Sequence, residues 1–233
     1  MSGRAITVVG LDADDTLWHS EVFFQRTERR FLEIVRRYVD PEVDVSAGLF
    51  SVEHRNLVRY GYGIKGFTLS MIEAAIEITG GAIATEEVEQ LLAAGLAILD
   101  HPVDLIDGVD ETVTALADAG YRLVVVTKGD VHHQEHKLLL SGLTDRCEKV
   151  EIVPEKDPDT YRRVVASMDV APDQFCMVGN SVRSDVLPVL EIGGHAVHIP
   201  YHVTWAHEHV EHNGDVPTLD TIRHLPAWLT AEN

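Results

Sequence analysis

Val9-Gly10-Leu11-Asp12-Ala13-Asp14-Asp15-Thr16-Leu17 decides the fold. The apolar run from Ile6 to Leu11 reads as a buried strand, and three acids follow it within four residues. Strands buried on both faces of a parallel sheet are nearly continuous apolar runs rather than alternations. Ligands of open parallel sheets bind beyond the carboxyl ends of such strands. Two carboxylates two residues apart, Asp12 and Asp14, converge there if the chain coils after the strand. One can then attack an electrophile while the other trades a proton. Acidic pairs also suit Mg²⁺, a hard cation that prefers oxygen. The competing reading is a solvated acidic turn, which leaves three acids beside a buried strand without partners, an expensive arrangement.

Working outward, four more apolar runs have the same character: Arg122 to Thr127, Lys149 to Val153, Gln174 to Gly179 and His195 to Ile199. Helical patterns separate them. Asp110 to Ala119 stops at Gly120 and His133 to Ser141 at Gly142, both plausible helix ends. Asp159 to Met168 and Asp185 to Glu191 fill the later gaps. Strand and helix alternate, which predicts an α/β fold: a doubly wound, parallel, five-stranded, Rossmann-like sheet with helices on both faces.

The interval between the first strand and Gly108 breaks that alternation. It holds no convincing strand and reads as about four helices. Glu21 to Val39 carries Phe23, Phe24, Thr27, Phe31, Ile34, Val35 and Tyr38 near helical period. Ser51 to Tyr60, Thr68 to Thr79 and Thr85 to Leu99 follow, with Thr85 a candidate cap of the last. The expected organisation is a catalytic core of residues 1–19 and 102–233 with a helical module inserted at 20–101.

Three further strand ends carry polar chemistry. Val126-Thr127-Lys128-Gly129 offers a hydroxyl and backbone N–H groups, a phosphate cradle. Pro154-Glu155-Lys156-Asp157-Pro158 offers a lysine on a loop, by itself an ordinary solvated charge. Gly179-Asn180-Ser181-Val182-Arg183-Ser184-Asp185 again runs from a small residue into oxygen donors.

Composition narrows the function classes. The chain has 233 residues and a formal net charge of −19, which argues against binding nucleic acid or docking on an acidic membrane. An anionic substrate needs a local cation or a metal to reverse that field. No run approaches the ~18 apolar residues of a membrane helix. The first apolar segment is too short for a signal peptide, and the two cysteines form no CxxC pair, so a reduced, cytoplasmic setting is expected.

Taken in order and spacing, the four segments resemble the haloacid dehalogenase superfamily over nearly all of the chain to about Pro200. The first motif is the most specific. The resemblance implies a phosphatase acting on a small phosphorylated substrate, with the inserted helices as a cap. It implies that Asp12 is the nucleophile and forms an aspartyl-phosphate, and that Asp14 is the general acid and base. It implies that Thr127 and Lys128 bind substrate, and that Lys156 both binds it and neutralises charge on nucleophile and phosphate. It implies a Mg²⁺ held by Asp12, the Asp14 carbonyl, Asn180 and Asp185. The usual strand order of that superfamily, 5-4-1-2-3, sets the first and fourth motifs side by side. Cap positions Arg26, Arg29, Arg30, His54, Arg55 and Lys65 are candidate substrate contacts, each more ordinarily a solvated surface residue.

Three positions depart from the pattern. Asn180 stands where many relatives carry Asp, and a neutral amide is a weaker Mg²⁺ ligand. Lys128 stands where Asn is frequent, an added cation that favours an anionic substrate. Asp15 replaces the commoner Gly, and the sequence offers no physical reason for it. A 2-haloacid dehalogenase is the runner-up, disfavoured by Asp14 because those relatives have a non-acidic residue there. A phosphomutase and a non-catalytic binding module are the remaining alternatives. Oligomeric state stays open, with a homodimer among the options.

Other signals lead elsewhere. His132, His133 and His136 cluster, as do His202, His207, His209 and His212, yet the HExxH spacing of a zinc site is missing. Ser181 lies outside a GxSxG elbow, and there is no GxGxxG or GxxxxGK[ST].

Overall fold

The computed structural model describes residues 5–203, 205, 208 and 216–232. His207, His209 and His212 lie outside the described residues. The chain divides into two compact units, one of Met1–Glu21, Val103–Lys128 and Gln134–Asn233, the other of Val22–Pro102 with Gly129–His133.

The first unit is a parallel five-stranded sheet in the order β3-β2-β1-β4-β5. Its strands are β1 (Val8–Leu11), β2 (Arg122–Lys128), β3 (Lys149–Val153), β4 (Phe175–Gly179) and β5 (His195–His198). Read from the other edge this is the order 5-4-1-2-3. β1 is central and pairs in register with both β2 and β4, so that Leu11 sits between Val125 and Val178. The motif after β1 therefore emerges beside those after β2 and β4, at the switch point where ligands bind such sheets.

Alternate residues of each strand fill two separate cores. On one face Val9, Leu11, Leu123, Val125, Cys176 and Val178 pack with α5 (Val109–Asp118) and α9 (Leu225–Glu232). On the other Val8, Val124, Val126, Phe175 and Met177 pack with α7 (Pro158–Ser167) and α8 (Leu187–Glu191). Burial on both faces is why the central strands β1, β2 and β4 read as apolar runs, while the edge strand β3 keeps Lys149 and Glu151. Gly10 faces the second core, where a Cβ would come within 2.6 Å of Phe175 Cζ and 2.8 Å of Met177 Sδ.

The second unit holds α1 (Glu21–Val35), α2 (Val45–Tyr60), α3 (Ile64–Ile78) and α4 (Thr85–Leu99). Phe31, Ile34, Val35, Leu49, Met71 and Leu91 make its core. α2 begins six residues before the expected Ser51, because Asp44 caps it by accepting the Ala47 N–H at 3.0 Å. Ala84, not Thr85, occupies the cap position of α4, and no side chain caps it. Three of the candidate cap contacts are engaged within the chain: Arg30 with Glu33, Arg55 with Glu77 and Lys65 with Asp130.

Candidate active site

Asp12 leaves the end of β1 with its N–H donated to the Val178 carbonyl at 2.9 Å. Its side chain is buried. Oδ1 accepts from Lys156 Nζ, and Oδ2 accepts from Thr16 Oγ1 at 3.0 Å. Lys156, also buried, donates to Asp185 Oδ1 at 2.6 Å. One ammonium is thus shared by two buried carboxylates. Burial raises the Asp12 carboxyl to about 7, with the like charge of Asp185 adding to it and Lys156 opposing. The two carboxylates hold Lys156 firmly cationic against its own burial.

Asp185 sits in a π-helical turn, Val182–Val186, directly after β4. Ser181 caps that turn by accepting the Ser184 N–H at 3.0 Å, and Asp185 Oδ2 accepts the Ser181 N–H at 2.9 Å. Gly179 is required beneath it, since a Cβ there would collide with the Asp185 carboxyl group. Asn180 lies within reach of the same hydroxyl, Thr16 Oγ1, at 3.5 Å. A hydroxyl has one proton, and the shorter contact to Asp12 takes it.

The carboxyl of Asp14 does not join Asp12 and Asp185. Trp18 Nε1 and Lys137 Nζ meet its Oδ1, the former at 2.7 Å, and Gln134 Nε2 meets Oδ2 at 2.7 Å. Burial pushes its proton affinity up, but Lys137 and these hydrogen bonds outweigh it and hold the carboxyl below its usual value. Asp12 and Asp14, expected to converge after the strand, have separate partners: three donors hold the Asp14 carboxyl, and none of them is shared with Asp12. Gln134 and Lys137, in α6 (Val131–Ser141), were missed in the sequence, although their spacing of three puts them on one helix face.

Asp15 gains an account. Its φ is +63°, and its carboxylate accepts the backbone N–H groups of Ser20 at 2.9 Å and Glu21 at 3.1 Å. It satisfies donors at the start of α1, the work of a capping side chain supplied from five residues upstream.

Thr127 is buried at the end of β2, and its hydroxyl donates to the Lys128 carbonyl at 3.2 Å. The Lys128 ammonium meets Ser184 Oγ at 3.0 Å and Glu208 at 2.5 Å, with Glu155 at 3.4 Å. Glu208 also accepts from Ser181 Oγ at 2.5 Å and Ser184 Oγ at 2.6 Å. Burial works against the Glu208 charge, yet Lys128 and the two hydroxyls lower its carboxyl to about 2. Lys128, expected to hold substrate, is thus held by a carboxylate of the chain itself.

The donor set fits Mg²⁺. It consists of the Asp12 and Asp185 carboxylates, the backbone carbonyl of Asp14 and the Asn180 amide oxygen, and the one lysine shared by the two carboxylates leaves an uncompensated negative charge. Among the described residues no group of three or more His, Cys, Asp and Glu could hold a metal. Mg²⁺ commonly binds through one or two carboxylates, water and substrate phosphate rather than a protein cage, so this sparse set is compatible with it. Among the described residues no helix is long and apolar enough to cross a membrane.

Comparisons with known proteins agree with this architecture. A haloacid dehalogenase-like hydrolase family model matches residues 6–193. The crystal structure of a haloacid dehalogenase-like family hydrolase from Xanthomonas campestris is 43% identical, covering 100% of this chain and 94% of that one, with a TM-score of 0.86. Two more distant structures share the fold alone. A putative hydrolase of this family from Bacillus subtilis, bound to magnesium, is 14% identical over 97% of this chain and 99% of its own, with a TM-score of 0.68. An L-2-haloacid dehalogenase from Xanthobacter autotrophicus is 17% identical over 97% of this chain and 98% of its own, with a TM-score of 0.63. Among curated proteins, a glyceraldehyde 3-phosphate phosphatase of Pyrococcus furiosus is 27% identical over 101 residues, 41% of this chain and 42% of that protein's length. The chain belongs to the haloacid dehalogenase-like hydrolase family.

Proposed function

We propose that this hydrolase is a magnesium-dependent phosphatase of a small phosphorylated metabolite, working through an aspartyl-phosphate on Asp12. The observation that carries the proposal is the division of labour at the end of β1. Asp12 shares a buried ammonium with Asp185, while Asp14, two residues on, is a separate carboxylate with its own donors. A phosphatase needs two such carboxylates: one to attack phosphorus and one to manage the proton of the leaving alcohol. A dehalogenase needs only the first and leaves the Asp14 assembly without work.

Asp12 attacks phosphorus as the bond to the ester oxygen breaks, and Asp14 protonates that oxygen. The arriving phosphoryl charge raises the proton affinity of Asp14, as any like charge does, so that Asp14 takes up a proton from solvent. Water then attacks phosphorus, Asp14 takes its proton, and Asp12 is released. Lys156 offsets charge on Asp12 and on the phosphoryl oxygens, the main lever in phosphoryl transfer. Thr127 binds the phosphoryl group, and Lys128 binds it once released from Glu208. Asp12, the Asp14 carbonyl, Asn180 and Asp185 would hold the Mg²⁺, which when bound supplies positive charge beside the transferring group. The helical unit acts as the cap that sets substrate choice. The setting is cytoplasmic, with neither nucleic acid nor membrane as a partner.

The test is phosphate release from an aryl phosphate with Mg²⁺, with chelator, and with Asp12→Asn. Activity is expected only with Mg²⁺ and wild-type protein. Chloride release from a 2-chloro acid, without phosphate release, would replace this reading by the dehalogenase.

A further inference from the structure

α6 presents two polar side chains, Gln134 and Lys137, on the face that also carries buried Leu138. Gln134 is buried, and the Lys137 side chain is 12% exposed. Gln134 Nε2 donates both to Asp14 Oδ2 and to the Lys128 carbonyl, each at 2.7 Å. Both partners only accept, so the orientation of the amide is fixed: its NH₂ must face them. Its Oε1 is left buried without a partner among the described residues. Lys137 approaches Asp14 Oδ1 from beside Trp18, with Nζ 5.6 Å from the centre of that ring.

A carboxylate accepts along about four lone-pair directions, two on each oxygen. On Asp14 Oδ1 both are taken, one by Trp18 and one by Lys137. On Oδ2 one is taken, by Gln134. We infer that Trp18, Gln134 and Lys137 are positioning residues that reserve one lone pair of Asp14 Oδ2 as the proton-carrying site of the reaction. The inference rests on the phosphatase reading of Asp14. In the first half-reaction the proton on Oδ2 passes to the ester oxygen as its bond to phosphorus breaks and the Asp12–phosphorus bond forms. In the second, Oδ2 takes a proton from water as the water oxygen bonds to phosphorus and the Asp12–phosphorus bond breaks. Asp14 ends as it began. The Asp14 side chain is 31% exposed, so a leaving group can reach it although three donors hold it.

A group that positions a general acid matters most when the leaving group is poor. The test compares the full chain with Lys137→Met, Lys137→Arg and Gln134→Leu on p-nitrophenyl phosphate, a good leaving group, and on ethyl phosphate, a poor one. General acid–base catalysis contributes roughly 10²- to 10⁴-fold, so Lys137→Met should lower kcat on ethyl phosphate ~30-fold or more. The same change should lower kcat on the aryl ester only about 3-fold and leave KM within about 2-fold. Gln134→Leu should act in the same sense, and Lys137→Arg should restore most of the loss. Equal losses on the two esters, or a change confined to KM, would overturn the assignment. A second readout does not depend on activity. The Trp18 indole N–H resonance, identified by its absence in Trp18→Phe, should move in both Asp14→Asn and Lys137→Met. An unmoved resonance would overturn the geometry. A resonance that moves in both variants, together with a wild-type protein that releases no phosphate from either ester, would sink the phosphatase reading, and the proton assignment with it.

Discussion

Asp12 and Asp14 stand two residues apart at the end of one strand, yet their surroundings drive them in opposite directions. Asp12 and Asp185 share one cation, Lys156, so one negative charge too many is buried there. Asp14 has a cation of its own and two neutral donors. Burial raises both carboxyls. Around Asp12 it prevails, helped by Asp185, and the value reaches about 7. Around Asp14 it is outweighed by Lys137, Gln134 and Trp18. The number of carboxylates per cation, more than depth alone, separates the two. Without a metal Asp12 is thus the carboxyl that more readily holds a proton and Asp14 the one that more readily stays ionised. In the proposed reaction the charge of a bound Mg²⁺ would free Asp12 for attack, and the phosphoryl charge would raise Asp14.

The largest break in the comparison is Asp12→Asn. It removes the attacking oxygen, and phosphate release should fall on the order of 10⁴-fold or more. The protein should stay folded, because the change relieves the crowding of negative charge around Lys156. Asp14→Asn should lower kcat roughly 10²- to 10⁴-fold, and more on alkyl than on aryl esters. If both variants lost the same factor on every ester, the two carboxylates would have no separate roles.

Lys156→Met attacks the Asp12 side of the comparison through stability. It strands two buried carboxylates, and breaking a buried pair in this way costs about 3–5 kcal/mol. Urea unfolding should show that loss, and adding Asp12→Asn to Lys156→Met should recover part of it. Gly179→Ala is a smaller perturbation. The new Cβ meets the Asp185 carboxyl, and overpacking of this kind costs roughly 1–3 kcal/mol. Its signature is a raised Mg²⁺ midpoint of activity alongside the loss of stability.

The central strands β1, β2 and β4 were legible because they are buried on both faces and so read as apolar runs. Lys149–Val153 was placed to the residue, and Arg122–Lys128 within one. The helices of the second unit were legible as helices but not at their ends. The start of α2 depends on one hydrogen bond to Asp44, which apolar periodicity does not register. The pairing of Lys156 with Asp12 crosses 144 residues, and local spacing holds no trace of it; the family resemblance supplied it. The attachment of Asp14 to Gln134 and Lys137 was invisible for the same reason, and a lysine on a helix reads first as a solvated charge. Asp15 was opaque because its partners are backbone N–H groups of Ser20 and Glu21, which exist only once the chain has turned.

The smallest and most direct test of the contrast is the pH dependence of stability, measured without metal in the presence of chelator. The Asp12 carboxyl rises from 3.8 to about 7 on folding, so between those values the folded state binds more protons than the unfolded one. That contribution is complete below pH ~4 and is lost as pH rises through ~7. The Asp14 carboxyl falls on folding, so its contribution is complete above its unfolded value of 3.8 and is lost only as pH drops below it. Melting temperatures of wild type, Asp12→Asn and Asp14→Asn separate the two. Wild type should lose stability relative to Asp12→Asn between pH 5 and pH 8. Relative to Asp14→Asn it should hold constant over that range and lose stability between pH 5 and pH 3. Glu208 is common to all three proteins and cancels, but Asp15, raised to about 7 by burial and in part by the charges of Asp14 and Asp12, couples to both sites, so the three proteins are compared in an Asp15→Asn background. Parallel profiles for the two variants would mean that the two carboxyls feel the same field and that the shared lysine does not set them apart.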